Sequence, residues 1–124
     1  MTDRGISSVT LGKQAEETAC RYLTANGLKL VEKNYKCQRG EIDLVMQDNN
    51  SIVFIEVRYR RNNRFGSGAE SVIKRKQQKL IMTAMHYLQT HRNSAANATR
   101  FDVISIQGQH GENDIEWIQN AFQA

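Results

Sequence analysis

Residues 40–58 read GEIDLVMQDNNSIVFIEVR, and this stretch decides the fold. Two runs rich in Ile, Val, Leu and Phe flank Asp48-Asn49-Asn50-Ser51. Paired Asn residues tolerate the positive φ that a tight hairpin turn demands, so the pattern predicts a β-hairpin closed by Asn49-Asn50. With Asp48 opposite Ser51, Met46 faces Val53, Leu44 faces Ile55 and Ile42 faces Val57, a wholly apolar face. On the other face Val45 meets Phe54, Asp43 meets Glu56 and Glu41 meets Arg58. A slip of one residue would scatter this partition, which argues for the register.

Asp43 and Glu56 thereby become direct cross-strand neighbours, with Cβ atoms roughly 5 Å apart. Two carboxylates that close repel, and one resists ionising unless a cation neutralises them. Hard divalent ions such as Mg²⁺ take oxygen ligands of this kind. Arg58 lies two residues beyond Glu56 on the same face, since side chains alternate along a strand. The same residues also fit a charged, solvated face of a half-exposed sheet. Like charges directly opposite one another are destabilising, however, and this favours a metal site.

A chain of 124 residues forms one domain with a sizeable core. Its hydrophobic fraction of 40% and charged fraction of 24% are ordinary for a soluble globular protein. The net charge of +4 favours a polyanionic partner, though weakly, because many basic proteins bind no nucleic acid. The first ten residues, MTDRGISSVT, contain no apolar signal region, and no stretch reaches membrane-spanning length. The expected location is the cytoplasm, with no membrane partner. Cys20 and Cys37 lack CxxC or zinc spacing and read as reduced thiols, Cys20 as core filler. His86, His91 and His110 pair with no Ser or Cys in a nucleophile arrangement, and plain surface or core roles suit them.

Residues 1–9 are polar and read as a flexible N-terminal segment, leaving 10–124 as the single domain. A helix is predicted from a Thr10 cap to Asn26, with Gly27 as its stop. Glu16 falls on its apolar stripe with Ala19, Cys20 and Leu23, either at the stripe's edge or as a third acidic group of the site. Residues 28–36 read as a first strand, and Lys36 to Gly40 as a basic turn into the hairpin. Beyond Arg58 the stretch YRRNNRFGSG gathers Arg60, Arg61 and Arg64 around Tyr59 and Phe65. It suits phosphate contact and base stacking, and equally a solvated basic loop.

A long amphipathic helix follows from Ala69 to His91, with Ile73, Leu80, Ala84 and Leu88 as its stripe and Ile81 and Met85 beside them. Gln77 lies on that stripe, and Lys74, Arg75, Lys76 and Lys79 make its first half basic, for solubility or for phosphate. A loop at 93–99, a strand at 100–106, a turn at 108–111 and a strand at 114–118 complete the order, with little signal beyond Gln119. The prediction is an α/β domain with a mixed sheet and element order α-β-β-β-α-β-β.

Asp43 followed by Glu56-Val57-Arg58 resembles the PD-(D/E)xK signature of the restriction-endonuclease-like superfamily. The wider run, Gly12-x-x-Ala15-Glu16, then Gly40-Glu41-Ile42-Asp43-Leu44, then Phe54-Ile55-Glu56-Val57-Arg58, resembles the bacterial YraN family, itself similar to archaeal Holliday-junction resolvases. The short signature is loose, and the longer combination much more specific. The resemblance spans about Gly12 to Ile106 and implies a restriction-endonuclease-like core. It implies a DNA endonuclease dependent on Mg²⁺ or Mn²⁺, acting on double-stranded, branched or recombination-intermediate DNA. Asp43, Glu56 and the Val57 carbonyl would hold the metal. Glu16 matches the helical Glu of the resolvase-like motif, and Lys76-Gln77 its fourth motif. The catalytic set is then Glu16, Asp43, Glu56, Arg58 and Gln77, with Arg60, Arg61, Arg64, Lys76 and Lys79 on nucleic acid. Junction cleavage would call for a homodimer, because paired nicks need two matched sites.

The chain departs from the signature at Arg58, where Lys is usual. Arg stays protonated and cannot act as a base, though it can orient water or stabilise charge. The rival reading is therefore a non-catalytic DNA-binding or adaptor module that keeps the nuclease fold.

Overall fold

The computed structural model describes residues 8–60, 73–91, 98–109 and 112–123. Helix α1 (Ser8–Ala25) leads into strands β1 (Lys29–Cys37), β2 (Gly40–Asp48) and β3 (Ser51–Arg60). Helix α2 (Lys74–Thr90) then precedes β4 (Ala98–Gln109) and β5 (Glu112–Phe122). The predicted element order holds. The strands form one sheet in sequential order, antiparallel except for the parallel pair β3–β4, which α2 connects.

Each helix covers one face. Ala15, Ala19 and Leu23 of α1 pack with Leu28 on Leu44, Met46, Val53, Ile55, Ile104 and Ile106. Leu80, Ala84 and Tyr87 of α2 pack on Val45, Ile52, Phe54, Phe101, Val103 and Phe122. Strand β3 is covered on both faces, so residues 52–55 read as an unbroken apolar run rather than an alternating one. Among the described residues no helix is long and apolar enough to cross a membrane.

Local chemistry sets the boundaries. Helix α1 begins two residues before the expected Thr10 and stops at Gly27, whose φ of 100° suits glycine alone. Leu28 N–H donates to the Leu23 carbonyl at 3.1 Å and Gly27 N–H to that of Thr24 at 3.0 Å, a Schellman stop sealed by the Leu23–Leu28 contact. The central hairpin turns at Asn49, with φ of 55°, and its pairing from Asp48↔Ser51 to Leu44↔Ile55 is the expected register. At the β1–β2 turn a Cβ on Gly40 would lie 3.0 Å from Thr83 Oγ1, so glycine lets the turn press against α2.

Five expectations are corrected. The β2–β3 ladder ends at Leu44↔Ile55, so the expected pairs Asp43–Glu56, Ile42–Val57 and Glu41–Arg58 are absent from it. Ile42 packs on the α2 face although Leu44 packs on the α1 face, because the alternation breaks at Asp43. On α2 the buried stripe is Leu80, Thr83, Ala84 and Tyr87, whereas Ile73 and Met85 are 62% and 54% exposed. Tyr87 meets Phe54 and Tyr35 edge-on at ring distances of 5.8 and 5.1 Å, and Thr83 gives its hydroxyl to the Lys79 carbonyl at 2.8 Å. These two polar residues therefore bury without an unpaired hydroxyl at Thr83, and they rotate the stripe.

Strand β5 continues past Gln119 to Phe122, which stacks on Phe101 at 4.9 Å, and Gly108 lies within β4, paired with Asn113, rather than in a turn. The extension is pinned by Asp102, fully buried, which accepts hydrogen bonds from Trp117 Nε1 (2.9 Å), Asn120 N–H (2.8 Å) and Arg100 Nε (3.0 Å). Arg100 also reaches Asp48 at 3.1 Å, tying the hairpin tip to β4. The expected first turns of α2 at 69–72, most of the loop at 93–99, His110 and residues 1–7 lie outside the described residues.

Candidate metal and phosphate site at the break in the sheet

The break between β2 and β3 brings the chemistry together. In a continued ladder the Val57 N–H would go to the Ile42 carbonyl. Asp43 Oδ2 accepts it instead, at 2.8 Å. The N–H and C=O of one strand residue point to the same neighbour, so the Val57 carbonyl also faces the Asp43 side.

Glu56, 4% exposed, stands one residue away on β3. Its Oε2 meets Lys76 Nζ from α2 at 2.8 Å and the Arg58 guanidinium at 3.5 Å. Burial pushes the Asp43 carboxyl up from 3.8 to about 8, and the Glu56 charge adds to the rise. The Val57 N–H opposes that rise, while Glu16 and Glu41 reinforce it. A carboxyl held protonated near neutrality by burial and by other acids is one that a cation would stabilise.

Glu16 reaches the same place from α1, half-buried beside the stripe residues Ala15 and Ala19. Its Oε1 accepts from Asn34 Nδ2 at 3.0 Å, and Glu41 Oε2 accepts from the same nitrogen at 3.2 Å. Asn34 has a φ of 52° in the middle of β1 and is unpaired in a ladder that runs from Lys33↔Leu44 to Tyr35↔Ile42. Sequence reasoning passed over Asn34; the signal was an Asn, tolerant of the left-handed region, set inside a strand.

Two open hollows flank the acid pair. One, of about 280 Å³, is lined by Glu16, Asp43, Glu56, Arg58, Arg60 and Lys76 among others. The other, of about 330 Å³, is lined by Glu41, Asp43, Glu56, Arg75, Lys76 and Lys79 among others. Of the expected site residues, Glu16, Asp43, Glu56, Val57, Arg58, Arg60 and Lys76 line the first hollow, and Lys79 lines the second. Gln77 is half-buried on α2 and lines neither. Arg61 and Arg64 lie outside the described residues.

The donor set of two carboxylates and a main-chain carbonyl fits a hard divalent cation, whose ligands are oxygens. Among the described residues no group of three or more carboxylate, imidazole or thiol side chains is gathered for a metal. Any ion here would rest on Asp43, Glu56 and the Val57 carbonyl, with water completing its shell.

Fold and site together define a three-layer α/β protein with an acid pair, Glu56 buried and Asp43 half-buried, at a break in a mixed sheet, approached by cations from β3 and α2. The chain belongs to the family described as "Uncharacterised protein family UPF0102", whose model matches residues 15–106. It is 49% identical to a UPF0102 protein of Nitrosococcus oceani over 90% of both chains. It is 46% identical to one of Stutzerimonas stutzeri, covering 94% of this chain and 98% of the relative. Identity to a UPF0102 protein of Pseudomonas aeruginosa is 46% over the whole of both chains.

Proposed function

We propose that the protein is a metal-dependent phosphodiesterase acting on DNA, branched or recombination-intermediate DNA included, with a restriction-endonuclease-like core. The observation that supports this most is the meeting of Asp43 and Glu56, from two strands that part between them, in a hollow shared with Glu16, Arg58, Arg60 and Lys76. Asp43, Glu56 and the Val57 carbonyl would hold Mg²⁺ or Mn²⁺. When bound, the cation polarises a phosphate and lowers the pKa of a water. Lys76 and Arg58, already at Glu56, turn to the phosphate, Lys76 as a compact charge and Arg58 through its planar fork. Arg60 and Lys79 extend the cationic track to either side, and Glu16 supplies a further acceptor at the rim. Resolution of a four-way junction would use a homodimer with two matched sites.

The test is cleavage of linear, flapped and four-way DNA with Mg²⁺ or Mn²⁺, beside Asp43→Asn. Metal-dependent nicking that vanishes in Asp43→Asn is the expected result. No cleavage of any substrate with any divalent ion would overturn the enzymatic reading.

A second reading is a DNA-binding module without catalysis. What favours it is that Glu56 already has two cations beside it, from Lys76 and Arg58, which neutralise the carboxylate without a metal. DNA affinity that survives chelation would select this reading.

A further inference from the structure

We propose that Asn34 is a positioning residue of this site, setting the acidic rim through its amide and the break in the sheet through its backbone. The proposal rests on the metal-site reading above. The two roles meet at one residue. Its φ of 52° interrupts β1 where Asp43 would otherwise pair, between Lys33↔Leu44 and Tyr35↔Ile42. Beyond this point Tyr35 and Ile42 both pack on the α2 face, although Leu44 packs on the α1 face. Two adjacent strands thus change faces together, and Asp43 is freed to turn its carboxylate to Val57.

The amide does the second task. One nitrogen, Nδ2, carries two hydrogens, and its two acceptors are Glu16 Oε1 on α1 and Glu41 Oε2 on β2. A neutral donor between two carboxylates fixes their positions without cancelling their charge. A Lys or Arg there would fix them too, but would bring a positive charge that opposes a cation. Asp and Ser lack two donor hydrogens, and Gly has no side chain. Of the residues that enter the left-handed region readily, Asn, Asp, His and Gly, Asn alone offers two hydrogens on one uncharged atom. Both requirements select it.

The experiment measures Mn²⁺ binding by calorimetry in wild type, Asn34→Gly, Glu16→Gln and the double variant. Glycine accepts the backbone conformation, so Asn34→Gly isolates the amide. The expected result is a loss of Mn²⁺ affinity of about tenfold in each single variant, with the double variant no worse than the weaker single one. Such non-additivity marks residues acting as a unit, which a purely architectural role would not produce. Wild-type binding that Asn34→Gly leaves unchanged, or losses that add in the double variant, would overturn the proposal while the metal site stands. A wild type that binds no Mn²⁺ overturns both. Should Asn34→Gly melt well below wild type, Glu16→Gln carries the test alone, and unchanged affinity there overturns the proposal.

Discussion

Val57 gives its backbone N–H to the side chain of Asp43, at 2.8 Å, and not to the main chain of the strand beside it. The acid that would bind a cation is thus also the group that satisfies the opened edge of the hairpin. Substitutions at Asp43 separate these two tasks. Asp43→Asn keeps an acceptor for Val57 and removes the cost of holding a proton on a carboxyl whose pKa is pushed up to about 8, so the metal-free protein should melt at or above the wild-type temperature and gain nothing from Mn²⁺. Asp43→Ala orphans the N–H as well and should cost about 1–3 kcal/mol in urea unfolding. A wild-type melting temperature indifferent to millimolar Mn²⁺ would count against the site.

The raised Asp43 pKa gives stability a defined pH slope. The folded group holds its proton up to about 8, whereas the unfolded one releases it near 3.8. Between these values the folded state binds more protons, so stability falls as pH rises through this window, by at most about 1.4 kcal/mol per pH unit. Urea unfolding from pH 5 to 8 should show Asp43→Asn gaining on wild type as pH increases. Mn²⁺ binding at pH 7 should in turn release close to one proton, read from calorimetry in buffers of different ionisation enthalpy.

Lys76 holds the closest position at Glu56, at 2.8 Å. A cation binding there must displace it. Lys76→Met should therefore bind Mn²⁺ more tightly, by about fivefold or more at low salt, while DNA affinity falls and the salt dependence loses roughly one phosphate. Tighter metal with weaker DNA in the same variant is the signature; a parallel loss of both would place Lys76 in the metal site itself.

Arg58 is the second cation, at 3.5 Å from the same Glu56 oxygen. The near position is already occupied by an ammonium, so Arg58→Lys adds nothing there and loses a fork shaped for two parallel hydrogen bonds to phosphate. The metal-dependent cleavage rate should fall about tenfold, or 1.4 kcal/mol of barrier. A faster variant would instead make Arg58 a handicap of this chain.

Much of this was legible in the chain. The two-residue turn at Asn49-Asn50, the pairing from Asp48 to Leu44, the Gly27 stop and the order of elements all follow from local pattern and turn chemistry. Periodicity failed where a single residue changed the rule. Strict alternation assigned Ile42 to the face of Leu44, and nothing in the apolar pattern marked the break at Asp43 or the left-handed Asn34 on the strand beside it. It also assigned Ile73 and Met85 to the α2 core in place of Thr83 and Tyr87, because hydrophobicity undervalues a polar group whose partner lies in the fold. Phe122 escaped notice for a similar reason: the end of β5 is held by Asp102 through Asn120, eighteen positions away, a long-range anchor. The acid pair was legible as residues but not as geometry, since the expected ladder would have kept Asp43 and Glu56 side by side.

The parallel pairing of β3 with β4 bears on the order in which the chain assembles. Asp43 and Val57 meet through a hairpin closed by two residues, a contact made locally and early. Lys76 reaches Glu56 on the helix that spans the parallel crossover, whose loop must close before β4 can pair. The carboxylates are therefore drawn together with Arg58 beside them but before Lys76, the nearer of the two cations at Glu56, arrives. Divalent ions present during refolding should speed the approach to the native state, and Lys76→Met should leave that acceleration intact.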